Sequence, residues 1–245
     1  MQEVTTDGKS RRIETWVLKE KPLDPEQVEM LKVGRVALIV VDAQKAYSDP
    51  DEVLAKDIVK STTTALDEVS RRLPDFIDSA RGAGIPVVWT RMTEDPKFMS
   101  GNYQRKMRIE DTPPISTPGT RGFEYIGEGL DNNDPRSRIK PEEGEKEITK
   151  RTYNAFTDTD LNEYLKAKEI TTLVVVGAYT SRCVQSTVTL AADHLGYDVF
   201  IPQDLVGVLD NDEFEQDPAL NSMGTILGYV PYSEQITEVW KRSAT

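Results

Sequence analysis

The 245-residue chain holds one cysteine, Cys183, and one histidine, His194. A single thiol forms no internal disulfide, which fits a reducing, cytoplasmic compartment. A zinc site of Cys and His ligands cannot be assembled within the chain. Any Ser-His-Asp triad would have to use His194. The 42 Asp and Glu include no spaced loop of the EF-hand kind, so no metal site is expected. Basic residues are the minority: 30 Lys and Arg leave a formal charge of −12. Without a local basic stripe, such a surface repels phosphate backbones and anionic bilayers, which speaks against nucleic-acid and membrane partners. Long apolar runs are missing as well. The most apolar uncharged stretch, Ile170 to Ser181, is far too short to span a membrane. The opening MQEVTTDGKSRRIETWV has no apolar secretion-signal core.

The length suffices for one large domain with a full core. Residues 1–33 read as an N-terminal arm, with Arg11 and Arg12 before an apolar patch at Trp16, Val17 and Leu18. Asp24-Pro25-Glu26 is a helix start: cap, proline in the first turn, then acid. Residues 34–245 read as a single domain. Val36 to Val41 is a continuous β-branched run, suited to a strand buried on both faces. Further strands are predicted at 85–90, 147–150, 172–177 and 198–202. Helices are predicted at 57–81, with Pro74 set to kink or split it, and at 158–168, 181–195, 219–227 and 234–240. Residues 92–143, rich in Pro, Gly and charge, are too long for an ordinary connection and read as a lid-like insertion. Alternating strands and helices predict an α/β fold with a mostly parallel sheet.

In such sheets ligands bind beyond the carboxyl ends of the strands. Those ends bring forward Asp42, Trp89 to Arg91, Lys150, and Gly177 to Cys183. Cys183 could be an ordinary buried thiol. It also falls in the first turn of a helix, where free N–H groups favour a thiolate, and Arg182 could assist. Asp42 could merely cap a turn, or could take and return protons once partly desolvated. Lys150 could be a surface lysine, or the cation that sets the proton affinities of an adjacent acid and thiol. Together the three would supply a nucleophile, an acid/base and a cation without histidine.

Three segments carry a resemblance: VVDAQKAY at 40–47, KRTYNAF at 150–156 and VGAYTSRCV at 176–184. In order and spacing, from about residue 35 to 205, the chain resembles the isochorismatase-like cysteine hydrolases. The resemblance implies a Rossmann-like doubly wound sheet with helices on both faces and an Asp42–Lys150–Cys183 triad. It also implies a cis peptide between Ala178 and Tyr179, and an oxyanion hole of the Tyr179 and Cys183 N–H groups. Nicotinamidase-like members carry a histidine-rich metal site that one histidine cannot supply. Members that cleave the enol ether of isochorismate lack the cysteine. The stretch CVQSTV at 183–188 is most similar to the branch acting on carbamoyl and amide groups, such as N-carbamoylsarcosine and ureidoacrylate amidohydrolases.

That branch implies cleavage of a C–N bond through a thioester, with release of ammonia and no cofactor. The expected partner is a small-molecule substrate, and the resemblance implies a homodimer or homotetramer. Tyr47 and Trp89 could face a planar substrate, and Arg91 could bind a carboxylate or carbonyl. Gln44, Asn154 and Phe156 are further candidate contacts, while His194 reads as structural. Two other readings compete: a hydrolase of an enol ether or ester, and a binding or scaffold protein that keeps the fold without catalysis.

Overall fold

The computed structural model describes residues 21–49, 63–107 and 115–243, plus the backbone of a short antiparallel pair, Thr5–Thr6 with Lys9–Ser10. Arg11, Arg12, Trp16, Val17, Leu18 and Ile58 lie outside the described residues. The predicted helix start at Asp24 forms. Asp24 Oδ1 accepts from the Gln27 N–H at 2.9 Å and the Gln27 side chain accepts from the Asp24 N–H at 3.0 Å, closing a capping box on α1, Pro25–Met30.

The sheet contains β1 (Val36–Val41), β2 (Val87–Met92), β3 (Lys146–Lys150), β4 (Thr172–Ala178), β5 (Asp198–Phe200) and β6 (Val206–Gly207). Their order is β3-β2-β1-β4-β5, with β6 on the carboxyl end of β4, and every pairing is parallel. The order reverses between β1 and β4, which leaves a crevice at their carboxyl ends.

Strand periodicity sorts the core into two layers. Val36, Leu38 and Val40 pack on α3 (Thr64–Gly82) and on a C-terminal helix, Ser233–Ser243. Ala37, Ile39 and Val41 pack on the opposite side, against α5 (Leu161–Ala167), the helical run after β4 and the helix Glu213–Ile226. The six β1 residues are fully buried on both faces. Each contributes on the order of 1.5–3 kcal/mol of transfer free energy, enough to hold β1 as the fixed centre of the sheet.

Several element bounds differ from the sequence reading. β2 covers 87–92 rather than 85–90, because Pro86 has no N–H to give a ladder, and its carbonyl instead accepts from Leu38 N at 2.9 Å. Proline does not split α3, which continues through Pro74. The C-terminal helices are longer than predicted. The run after β4 begins in a π turn, Thr180–Val184, passes through Gln185–Thr189 and ends in another π turn, Leu190–His194. The 92–143 insertion is divided. Its first half holds the helix Gly101–Met107 beside the crevice, whereas Tyr125, Ile126 and Ile139 are built into the α3-side core. Among the described residues no helix is long and apolar enough to cross a membrane.

Candidate active site

The crevice between β1 and β4 is set by one glycine. Val41 and Gly177 are paired in register, and Gly177 has φ +111°. A Cβ there would lie 2.1 Å from Val41 O, so no larger residue lets the two strand ends approach this closely. Asp42 follows Val41 with a left-handed φ of +48°, and the helical run bearing Cys183 follows β4. Lys150 is the last residue of β3, paired with Met92 at the end of β2.

These three strand ends converge. Lys150 Nζ lies 2.6 Å from Asp42 Oδ2 and 3.3 Å from Cys183 Sγ. It also donates to Thr152 O at 3.1 Å. The Thr90 hydroxyl donates to Asp42 Oδ1 at 2.7 Å and fixes the carboxylate plane. Lys150 is fully buried, Asp42 nearly so, and Cys183 is 7% exposed. A buried ammonium is stable only when paired, so Asp42 and Lys150 require each other.

The electrostatics follow. Burial by itself would lower the Lys150 pKa, but Asp42 and then Cys183 more than offset it, and the ammonium is held above its ordinary value. Burial, reinforced by Asp42, pushes the Cys183 thiol up, with Lys150 pulling the other way. Burial in the resting site thus favours the thiol of Cys183 over the free thiolate. A thiol in this state needs a base at hand when it reacts.

Asp42 and Cys183 form the floor of a cavity of about 80 Å³, with Lys150 behind them. Its walls are Tyr47, Met92, Glu94, Tyr103, Tyr153, Tyr179, Arg182 and Leu209. The Ala178–Tyr179 peptide is cis. The Tyr179 hydroxyl donates to Tyr47 O at 3.2 Å, and the two rings meet edge to face at 6.0 Å. Arg182 is engaged elsewhere: its guanidinium lies 2.6 Å from Asp212 and 3.9 Å from Glu215, over the Tyr179 ring.

Among the expected substrate contacts, Tyr47 lines this cavity and the others do not. Trp89 is fully buried in the core, and its indole N–H donates to Glu145 at 2.7 Å. Arg91 pairs with Glu147 and stacks 4.1 Å over Tyr125. Gln44 is a strap: it donates to Ser116 Oγ at 2.7 Å and accepts from Met92 N at 2.7 Å. Asn154 braces the segment after β3 by donating to Ser186 O at 2.8 Å and accepting from Phe156 N at 2.7 Å. Phe156 stacks on Tyr197 at 6.0 Å. In each case the polar or aromatic surface is spent on the scaffold.

His194 is exposed at the far end of its helical run. The sequence reading brought Thr90 forward only within the strand end Trp89 to Arg91 and gave it no role, and it named none of Met92, Glu94, Tyr103, Tyr153 and Leu209 as contacts. Met92 and Glu94 would have emerged had β2 been read two residues later. Among the described residues no group of three or more His, Cys, Asp or Glu side chains could hold a metal ion.

Comparison with known proteins gives a consistent family. The isochorismatase domain matches residues 36–235. The chain is 30% identical to the ureidoacrylate amidohydrolase RutB of Methylobacterium radiotolerans over 68% of this chain; the match spans 64% of that relative, just under two thirds of it. It is 27% identical to RutB of Pseudomonas syringae pv. syringae, over 86% of each chain. The solved cysteine hydrolase from Pseudomonas syringae pv. phaseolicola superposes with TM-score 0.71 at 20% identity, covering 91% of this chain and 97% of the other. N-carbamoylsarcosine amidase from Thermoplasma acidophilum superposes with TM-score 0.60 at 23% identity, covering 82% and 97%.

Proposed function

The chain belongs to the isochorismatase family, and from that premise we propose that it is a cysteine-dependent amidohydrolase of small amide or carbamoyl and ureido compounds. The observation that carries this reading is the position of Lys150 Nζ, 2.6 Å from Asp42 and 3.3 Å from Cys183, the acid and the thiol both lining a cavity. The relatives named as ureidoacrylate amidohydrolases support a hydrolase acting on C–N bonds other than peptide bonds.

In the proposed reaction Asp42 takes the Cys183 proton while Lys150 stabilises the thiolate. The sulfur adds to the substrate carbonyl carbon, and the Tyr179 and Cys183 N–H groups hold the oxyanion. Asp42 then gives its proton to the leaving nitrogen. The C–N bond breaks, ammonia departs, and the acyl or carbamoyl group remains on Sγ. Asp42 next accepts a proton from water, whose oxygen attacks the thioester. Breakage of the C–S bond returns the proton to the thiol. No step draws on a metal or cofactor.

The raised thiol pKa supports this order of events. The thiolate forms with substrate in place rather than standing free, which keeps a lone reactive cysteine from adventitious oxidation.

The test is ammonia release from a panel of ureido acids, simple amides and biuret-like compounds, with Cys183→Ala as the blank. Ammonia from the wild type alone supports the reading. The absence of ammonia from every compound, with the fold intact, would contradict it.

A further inference from the structure

The reaction above uses the floor of the cavity and leaves its wall unassigned. Glu94 stands on that wall two residues beyond the end of β2, 8% exposed, with its backbone N–H pinned to Ser116 O at 2.8 Å. Its carboxyl is pushed up by burial, against the Ile115 backbone N–H and the Tyr47 hydroxyl, and no cation is among the groups acting on it. No described Lys or Arg forms an ion pair with it. The mechanism has no use for this carboxyl, and the described residues give it no counter-charge. A carboxyl kept in such a place costs stability unless a ligand meets it.

The rest of the wall points the same way. Arg182 is the one cation among the lining residues apart from the floor, and Asp212 at 2.6 Å and Glu215 at 3.9 Å already neutralise it. The Asp42–Lys150 pair is internally balanced at 2.6 Å. Among the described residues the cavity therefore presents an acid with no ion-pair partner and no free positive group. Two edge-to-face tyrosine pairs, Tyr47 with Tyr179 at 6.0 Å and Tyr103 with Tyr153 at 5.8 Å, line the space between Glu94 and the thiol with flat rings. Such a slot suits a planar, conjugated group.

We propose that Glu94 is a specificity-determining residue: it accepts hydrogen bonds from N–H donors at the far end of the substrate and excludes substrates that end in a carboxylate. The substrate class is then a planar urea or amide carrying a second, uncharged amide or urea nitrogen. This rests on the amidohydrolase reading and departs from the substrate in the relatives' name, since an acrylate ends in a carboxylate.

The experiment exploits the single cysteine and needs no turnover. Cys183 is alkylated in the full chain with iodoacetamide, which ends in a neutral NH₂, and with iodoacetate, which ends in a carboxylate. Their rate ratio is compared with that of N-acetylcysteine at the same pH. Both reagents meet the same thiol, so its proton affinity cancels. The wild type should prefer iodoacetamide at least about tenfold more than the free thiol does, the effect of a like-charge clash in a desolvated site. Glu94→Gln should return the ratio most of the way to the free-thiol value. A wild-type ratio equal to that of N-acetylcysteine would overturn the proposal, as would a ratio unchanged in folded Glu94→Gln. If that variant does not fold, the wild-type ratio decides alone. Failure to release ammonia from any amide would refute the amidohydrolase reading and leave this ratio still readable.

Discussion

Two polar clusters meet β3 at its opposite ends, and they do opposite work. One is Asp42–Lys150–Cys183 at the carboxyl ends. The other is Arg81–Glu145–Trp89, toward the amino ends. In the second, Glu145 accepts from Arg81 Nε at 2.8 Å, Arg81 Nη2 at 2.9 Å, Trp89 Nε1 at 2.7 Å and the Glu142 N–H at 2.9 Å. Both oxygens of that carboxylate are engaged by the scaffold, one by Arg81 and the other by Arg81, Trp89 and the Glu142 N–H, so its work is to hold the structure. In the first, the lysine bridges an acid and a thiol that open on a cavity. Charge and burial alone do not mark a functional group. Capacity left over after the scaffold is satisfied does.

Perturbing each cluster should separate these roles. Asp42→Asn should lower kcat/KM by about 10²–10⁴-fold through loss of the proton carrier. It should also destabilise by about 3–5 kcal/mol because Lys150 is left buried and unpaired. Ammonia release and urea unfolding read the two effects, and a variant with native turnover would merge the two clusters into one structural class. Glu145→Ala should cost about 1–3 kcal/mol in unfolding free energy, because it orphans the Trp89 N–H and the Arg81 fork, while kcat/KM stays within about twofold.

The pH dependence should split the same way. Lys150 and Cys183 both hold their protons more tightly in the folded chain, so their contribution is complete below the ordinary thiol value of 9.0 and is lost as pH rises above it. Glu145 runs in reverse. Burial pushes it up, but Arg81, the Glu142 N–H and Trp89 together bring it below 4.5, so its contribution is present above that value and is lost in acid. Unfolding free energies measured across pH should show Glu145→Ala flattening the acid limb and Cys183→Ala flattening the alkaline limb. The smallest effect is expected from a chelator, which should leave activity unchanged. Loss of activity on metal removal would require a metal in the reaction.

The same contrast explains what was legible in the sequence. Asp42, Lys150 and Cys183 could be read because apolar runs mark strands, strand ends mark sites, and the motifs around them have fixed spacing. The mostly parallel α/β sheet followed from alternating strand and helix patterns, and its doubly wound order from the family resemblance. The wall was legible only as the 92–143 insertion and not residue by residue, for a local reason. Reading β2 as 85–90 made Trp89 to Arg91 look like the strand end, whereas Pro86 delays pairing and the true end is Met92. That two-residue slip exchanged Met92 and Glu94 for Trp89 and Arg91. Gln44, Asn154 and Phe156 were drawn in by proximity to the motifs, and their hydrogen bonds and stacking turn out to fasten loops. Tyr103, on the short helix Gly101–Met107, and Leu209 approach the thiol through tertiary folding alone, which no periodicity encodes.

The most direct test of the central claim, that Cys183 is the nucleophile, is to titrate the folded protein with iodoacetamide. Ammonia release is followed against the fraction of Cys183 modified, read by intact mass. With one thiol in the chain, activity should fall in a straight line to zero at one equivalent. Turnover that survives complete modification of Cys183 would contradict the account.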